Sequence, residues 1–228
     1  MYSAVVGFPR VGKRRELKFA SEKYFRGEIG REELQRVAEA LRKEHWGFQK
    51  ESGIAYISSN DFSFYDSMLD TAVLFNVIPD CYKNLGLDQL DTYFAMARGY
   101  QGEAGDVSAL AMKKWFNTNY HYLVPEIADD TKIKLAGSKP FEEYLEAEKE
   151  GIQTKPVIIG AYTFLKLARY EGSKKAVDYV ADMVTAYGEL LDKFGTLNAE
   201  WVQFEEPALV MDMSQEDWIL FETLYQQI

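Results

Sequence analysis

Cysteine and histidine are nearly missing from this 228-residue chain: one of the first, Cys81, and two of the second, His45 and His121. A single cysteine excludes an internal disulfide framework and every multi-cysteine zinc site. Two histidines leave little material for a histidine-based metal centre. Long apolar runs are missing as well. None approaches the roughly 20 residues that span a bilayer. The N-terminus lacks the basic-then-apolar order of a secretory signal, so the expected compartment is the cytoplasm. Basic charge is in short supply: 26 Lys and Arg against 36 Asp and Glu give a formal net charge of −10. Such a surface repels nucleic acid and membrane lipid of like charge, and any anionic ligand has to be met by a local positive cluster. There is no P-loop, no dinucleotide glycine fingerprint after a strand, and no zinc spacing. What is present, 47% apolar and 27% charged residues, is a globular composition that excludes disorder, collagen and a coiled coil.

Short apolar runs alternate with amphipathic stretches of helical period. Residues 2–6, 54–58, 155–159 and 200–204 are continuous rather than alternating in their apolarity, which suits strands buried on both faces of a parallel sheet. Residues 115–124 are aromatic and β-branched enough for a further strand, and 132–135 for a minor one. Between them lie helices. In 31–50, Leu34, Val37, Leu41, His45 and Phe48 share a face; in 174–194, Val177, Val180, Val184, Tyr187, Leu191 and Phe194 do. Residues 141–149 make a shorter helix. Ser214, with Asp217 three residues on, reads as a helix cap. The helix it opens carries Trp218, Phe221, Leu224, Tyr225 and Ile228 on one face, a stripe that runs to the last residue and is read as an unfinished domain with a packing partner encoded further on. Strand–helix alternation with connections this long calls for a parallel α/β architecture. About five strands with intervening helices fit an open doubly wound sheet or part of a (β/α)8 barrel. A complete barrel typically takes about 250 residues.

The sharpest local feature is Gly7-Phe8-Pro9-Arg10-Val11-Gly12-Lys13-Arg14-Arg15-Glu16-Leu17-Lys18. From 10 to 18 it holds five basic side chains and one acidic one, a local excess of positive charge in an acidic chain. A helix predicted to begin near Lys13 puts Lys13, Arg14 and Arg15 in its first turn, where the dipole disfavours cations. A bound anion reverses that penalty, because free N–H groups and guanidinium forks converge on it. A solvated patch paired with surplus acids is the alternative. Glu205-Glu206-Pro207, just past a strand, offers either an acid–base pair or one glutamate held by loop backbone and one solvated. Asp61 after the second strand is a binding candidate or a helix cap, and capping is the commoner fate. His45 reads as a packed core residue, His121 as part of a polar-aromatic string, and Cys81 as inert.

These strings resemble the opening of cobalamin-independent methionine synthase. The likeness rests on residues 7–12 and 14–18, then Ser59-Asn60-Asp61-Phe62 and Leu69-Asp70-Thr71. It continues at Lys114-Trp115-Phe116-Asn117-Thr118-Asn119-Tyr120-His121-Tyr122, at Lys155-Pro156-Val157-Ile158-Ile159-Gly160, and along residues 200–209. It is collinear and covers nearly the whole chain.

The resemblance implies two facing (β/α)8 barrels, of which residues 1–228 would form an incomplete N-terminal one, a partial TIM-type barrel. It implies methyl transfer from 5-methyltetrahydropteroyl polyglutamate to homocysteine. The catalytic zinc, with His, Cys and Glu ligands, sits in a C-terminal barrel absent from this sequence; no cofactor, metal ligand or catalytic residue is expected on this chain. The N-terminal barrel supports the catalytic one and offers basic residues to the folate's glutamate tail. Matched position by position, the substrate-binding residues are Arg14, Arg15, Glu16 and Leu17, with Lys18 adjoining, and Lys114. The chain alone is expected to be inactive, and its open strand edges favour a homodimer. Two further readings stand beside this one: a free-standing anion-binding or scaffold module, and a barrel hydrolase using Glu205 and Glu206.

Overall fold

A computed structural model of the chain describes residues 2–228. In chain order it begins with α1 (Glu16–Phe25), α2 (Arg31–Glu51), β1 (Ile57–Ser59), α3 (Ser67–Leu74), α4 (Asp80–Lys83) and α5 (Gln89–Arg98). Five short strands follow: β2 (Tyr100–Gly102), β3 (Gly105–Val107), β4 (Met112–Lys114), β5 (His121–Leu123) and β6 (Glu126–Ala128). Then come α6 (Lys139–Lys149), β7 (Thr154–Ile159), α7 (Ala161–Leu167), β8 (Arg169–Glu171), α8 (Val180–Thr196), β9 (Gln203–Glu205) and α9 (Gln215–Tyr225). The strands β1, β7 and β9 form a sheet in that order. Ile57–Ser59 pairs in parallel with Thr154–Pro156, and β6 pairs in parallel with β8. The fold is therefore mixed α/β with parallel strands. The chain divides into two compact units, one of residues 1–64, 139–157 and 199–203, the other of 65–138, 158–198 and 204–228.

In the first unit, α2 packs its stripe of Leu34, Ala38, Leu41, His45 and Trp46 inward. The spacing is the expected one: Val37 packs half-buried against the same face, Ala38 is buried beside it, and only Phe48 of the predicted stripe is exposed. Leu17 of α1 joins Ala38, Leu41 and Phe62 in one cluster. Trp46 joins Ile57, Ala147 and Ile152 in another, and its indole N–H donates to the Ser58 carbonyl at 3.0 Å. Arg42 is held under α6 by Glu146 at 2.6 Å and Glu143 at 3.8 Å, with its guanidinium 5.2 Å from the Phe62 ring centroid. The expected strand at 2–6 is reduced to one parallel bridge, Ala4 to Tyr56. Tyr2 and Val6 stay exposed, so that run buries too little apolar surface to hold a longer ladder.

In the second unit, residues 115–124 are not one strand. Met112–Lys114 and His121–Leu123 are antiparallel partners, and 115–120 is the turn between them. Its chemistry is local: the Thr118 hydroxyl donates to the Trp115 carbonyl and accepts from the Tyr120 N–H, while Phe116 takes a positive φ of 53°. Residues 132–135 form no strand either. They run along the end of α3, where Lys134 N–H donates to the Phe75 carbonyl and Ala136 N–H to that of Leu74. The long helix starts at Val180 behind a 3-10 turn, which leaves Val177 exposed; Val180, Tyr187 and Phe194 are buried as expected, with Met183, Ala186 and Leu190 buried where Val184 and Leu191 stay half-buried. At α9 the predicted Ser214–Asp217 capping box is present, yet Trp218 is 49% exposed and Leu224 is the fully buried residue.

Asp66, not Asp61, caps α3. One oxygen accepts the Leu69 N–H at 2.9 Å and the other the Leu123 N–H at 3.0 Å, tying the helix to β5. Asp70 lies one turn on and accepts the Tyr93 hydroxyl at 2.7 Å. Burial pushes the Asp66 carboxyl up to about 6, against the pull of the backbone N–H groups and helped by the Asp70 charge.

Two outcomes follow from these contacts. Trp46→Phe leaves the Ser58 carbonyl without its donor and opens a small void, so urea titration should show a loss of about 1.5–3 kcal/mol. The native state of Asp66 binds its proton more tightly than the unfolded chain, so its contribution to stability is full below about pH 4 and is lost as pH rises through about 6. The stability of wild type relative to Asp66→Asn should therefore fall between pH 4 and 7, by about 1–3 kcal/mol, in paired melts across that range.

Candidate functional site

The segment that enters α1 is fastened at several points within the first unit. Asp61, beyond the end of β1, accepts the Phe8 N–H at 3.1 Å and the Ser58 hydroxyl at 2.8 Å. Burial raises its pKa, and these two bonds and the nearby Lys139 oppose the rise. The Phe8 ring stacks on the His45 imidazole with centroids 4.5 Å apart. Burial lowers the pKa of His45, favouring the neutral ring, which fits the packed role read from its helix face. Arg10 reaches the Phe64 carbonyl at 3.4 Å.

The basic residues do not sit in a first helical turn. The helix starts at Glu16, and Arg15 precedes it in the left-handed region with φ 62°. Gly12, at φ 84°, supplies the turn that allows this. Arg15 N–H donates to the Gly12 carbonyl and Leu17 N–H to that of Val11, each at 3.2 Å. Lys13, Arg14 and Arg15 therefore precede the helix, and the acid in its first turn is Glu16, matched in sign to the dipole.

Of the five cations between 10 and 18, three are engaged. Besides Arg10, Lys13 pairs with Glu44 at 2.6 Å and Lys18 with Glu22 at 3.7 Å. The Glu44 hydrogen bond raises the pKa of Lys13, and that same bond lowers the pKa of Glu44. Arg14 and Arg15 are exposed, and among the described residues their guanidinium groups meet no carboxylate. Leu17 turns its side chain into the core at 2% exposure, so only its backbone is available to a ligand. Arg14, Arg15, Glu16, Leu17 and Lys18 thus share one loop and helix start. Lys114 lies on β4 of the second unit, exposed beside Lys113.

Sequence reasoning missed Glu44, whose pairing with Lys13 depends on how α2 packs. It also missed the task of Asp61. The signal for Asp61 was the polar Ser58–Asp61 string at a strand end, which reads equally well as a cap.

Of Glu205 and Glu206, it is the second whose side-chain bonds the structure describes. Glu206 accepts the Tyr162 N–H at 2.9 Å, the Thr163 N–H at 2.6 Å and the Tyr225 hydroxyl at 2.6 Å, so its carboxylate is consumed in joining α7 to α9. Glu206 thus matches the reading of a glutamate held by loop backbone. His121 is exposed on β5 and Cys81 is exposed on α4. Among the described residues no three His, Cys, Asp or Glu side chains are placed to hold a metal ion, and none of their helices is long and apolar enough to cross a membrane.

A family model described as "Cobalamin-independent synthase, N-terminal domain" matches residues 2–228. The chain is 53% identical over all 228 residues to proteins of Streptococcus suis and of Campylobacter jejuni subsp. doylei. Both carry the name 5-methyltetrahydropteroyltriglutamate–homocysteine methyltransferase, and the chain spans 30% of the length of each.

Proposed function

The chain belongs to the family of N-terminal domains of cobalamin-independent synthase, and from that membership we propose that it is the tail-binding part of a methyltransferase. The whole enzyme would transfer the methyl group of 5-methyltetrahydropteroyltriglutamate to homocysteine, yielding methionine. The observation that carries this reading is the pair of exposed guanidinium groups, Arg14 and Arg15, which meet no acidic side chain among the described residues of a chain of net charge −10. An unpaired fork suits a carboxylate, which it can meet with two parallel hydrogen bonds. A γ-linked glutamate tail presents several carboxylates in series. Lys13 and Lys18 sit in exposed pairs that water and salt screen strongly, so a ligand carboxylate can replace Glu44 or Glu22 at little cost. Lys114 is proposed as a further tail contact on the resemblance alone.

The zinc implied by the family does not fit this chain. Cys81 stands alone on the surface, His45 is stacked under Phe8, and no ligand set assembles among the described residues. We assign the metal to His, Cys and Glu of a C-terminal barrel encoded elsewhere, for which this chain would be the docking partner. The incomplete (β/α)8 ring, a cytoplasmic setting and self-association through open strand edges belong to the same reading.

Isothermal titration with pteroylglutamates of one, two and three γ-linked residues tests it. Affinity should rise with each added glutamate and fall about five- to tenfold in Arg14→Ala or Arg15→Ala, the loss expected for a charged hydrogen bond. Equal affinity for all tail lengths would remove tail binding and leave a general anion module. Supplied with zinc, homocysteine and methylated substrate, the chain alone should give no methionine above blank; measurable turnover would place catalysis on it after all.

A further inference from the structure

We infer that Glu16 is a positioning residue for the Arg14–Arg15 pair, and that Gly12 is the seat that lets it act. This rests on the reading of the loop as a polycarboxylate site, and it adds that an acid sustains the affinity of that site. Glu16 Oε2 accepts the Arg14 N–H at 3.0 Å, folding the first helical side chain back over the residues before it. A methyl group at position 12 would lie 2.1 Å from that same oxygen and 2.8 Å from Leu41 Cδ2. The carboxylate therefore occupies the space that any side chain at 12 would need. Gly12 is also at φ 84°, where a side chain is strained regardless of space. Arg15, at φ 62°, holds a conformation that only its surroundings can enforce. Those surroundings are its N–H bond to Gly12, the Leu17 bond to Val11 and the buried Leu17 side chain.

The two free guanidinium groups thus leave a closed turn whose backbone order is set before any ligand arrives. Preorganisation of this kind raises affinity by removing an ordering cost from binding. Charge alone argues the other way. Glu16 is an acid within the cationic cluster, so deleting it strengthens the field felt by an anion. The two accounts predict opposite signs for one substitution.

The test is titration of the 228-residue chain with tri-γ-glutamate at low salt, in wild type, Glu16→Ala, Glu16→Gln and Gly12→Ala. Amide hydrogen exchange at Arg14 is measured on the same samples. Glu16→Ala should bind about fivefold more weakly and expose the Arg14 N–H to exchange. Glu16→Gln keeps an oxygen that accepts that N–H, so it should bind at least as tightly as wild type with the amide still protected. Gly12→Ala should weaken binding as Glu16→Ala does; should it fail to fold, the two Glu16 variants decide the matter. Unchanged or tighter binding by Glu16→Ala overturns the inference, as does an equal loss in Glu16→Gln. A wild-type chain that ignores tri-γ-glutamate while its Arg14 N–H is protected overturns the tail-binding reading itself, and leaves the loop with no such ligand to position.

Discussion

The amino-terminal part of the first unit depends on a carboxylate partly withdrawn from water. Withdrawing a carboxylate from water is costly unless bonds replace its hydration, and the half-buried Asp61 finds those bonds in the Phe8 N–H and the Ser58 hydroxyl. The exchange works in both directions. Asp61 is satisfied, and Phe8 is fixed over His45 at the end of β1. From that anchor the chain has few ways to reach α1, because Leu17 must also reach the cluster of Ala38, Leu41 and Phe62. The cations between these two fixed points are carried along. Their placement is a result of burial at residues that bear no positive charge.

Much of this was legible in the residues, and the limits have physical causes. The amphipathic period of α2 and of α8, the Ser214 cap and the continuous apolarity of β7 each report a local preference that tertiary packing leaves in force. The family strings located the cationic loop, and charge counting picked the same residues independently. Where reading failed, a local rule met a competing one. The helix starts at Glu16, three residues after the start its periodicity predicts, because periodicity does not register that Gly12 and Arg15 turn left-handed. The 115–124 run is rich in strand formers, yet Asn117, Thr118 and Asn119 carry turn chemistry that splits it. Residues 2–6 look like a buried strand but leave Tyr2 and Val6 exposed. Glu44 could not be foreseen from Lys13, since 31 positions separate them and only the packing of α2 joins them.

The distribution of charge follows a similar logic. Acidic residues outnumber basic ones, and nearby acids draw off Lys13 and Lys18. Deeper in the unit, Arg42 meets Glu143 and Glu146 under cover of α6, where breaking one partner is far more costly than at the surface. Cations of one type therefore serve two ends. Those under α6 hold elements together, those at the loop are loosely engaged or free, and the difference lies in exposure rather than in residue identity.

The left-handed backbone at Arg15 has a bearing on how the chain endures in a cell. Trypsin-like proteases cut after an arginine or a lysine, and their clefts grip several residues of substrate in extended form. Here the Arg14–Arg15 bond lies inside a closed turn tied to Gly12 and Val11. To be cut there, the turn would have to open and give up both ties, so the geometry that displays these side chains also shields the peptide bond that joins them.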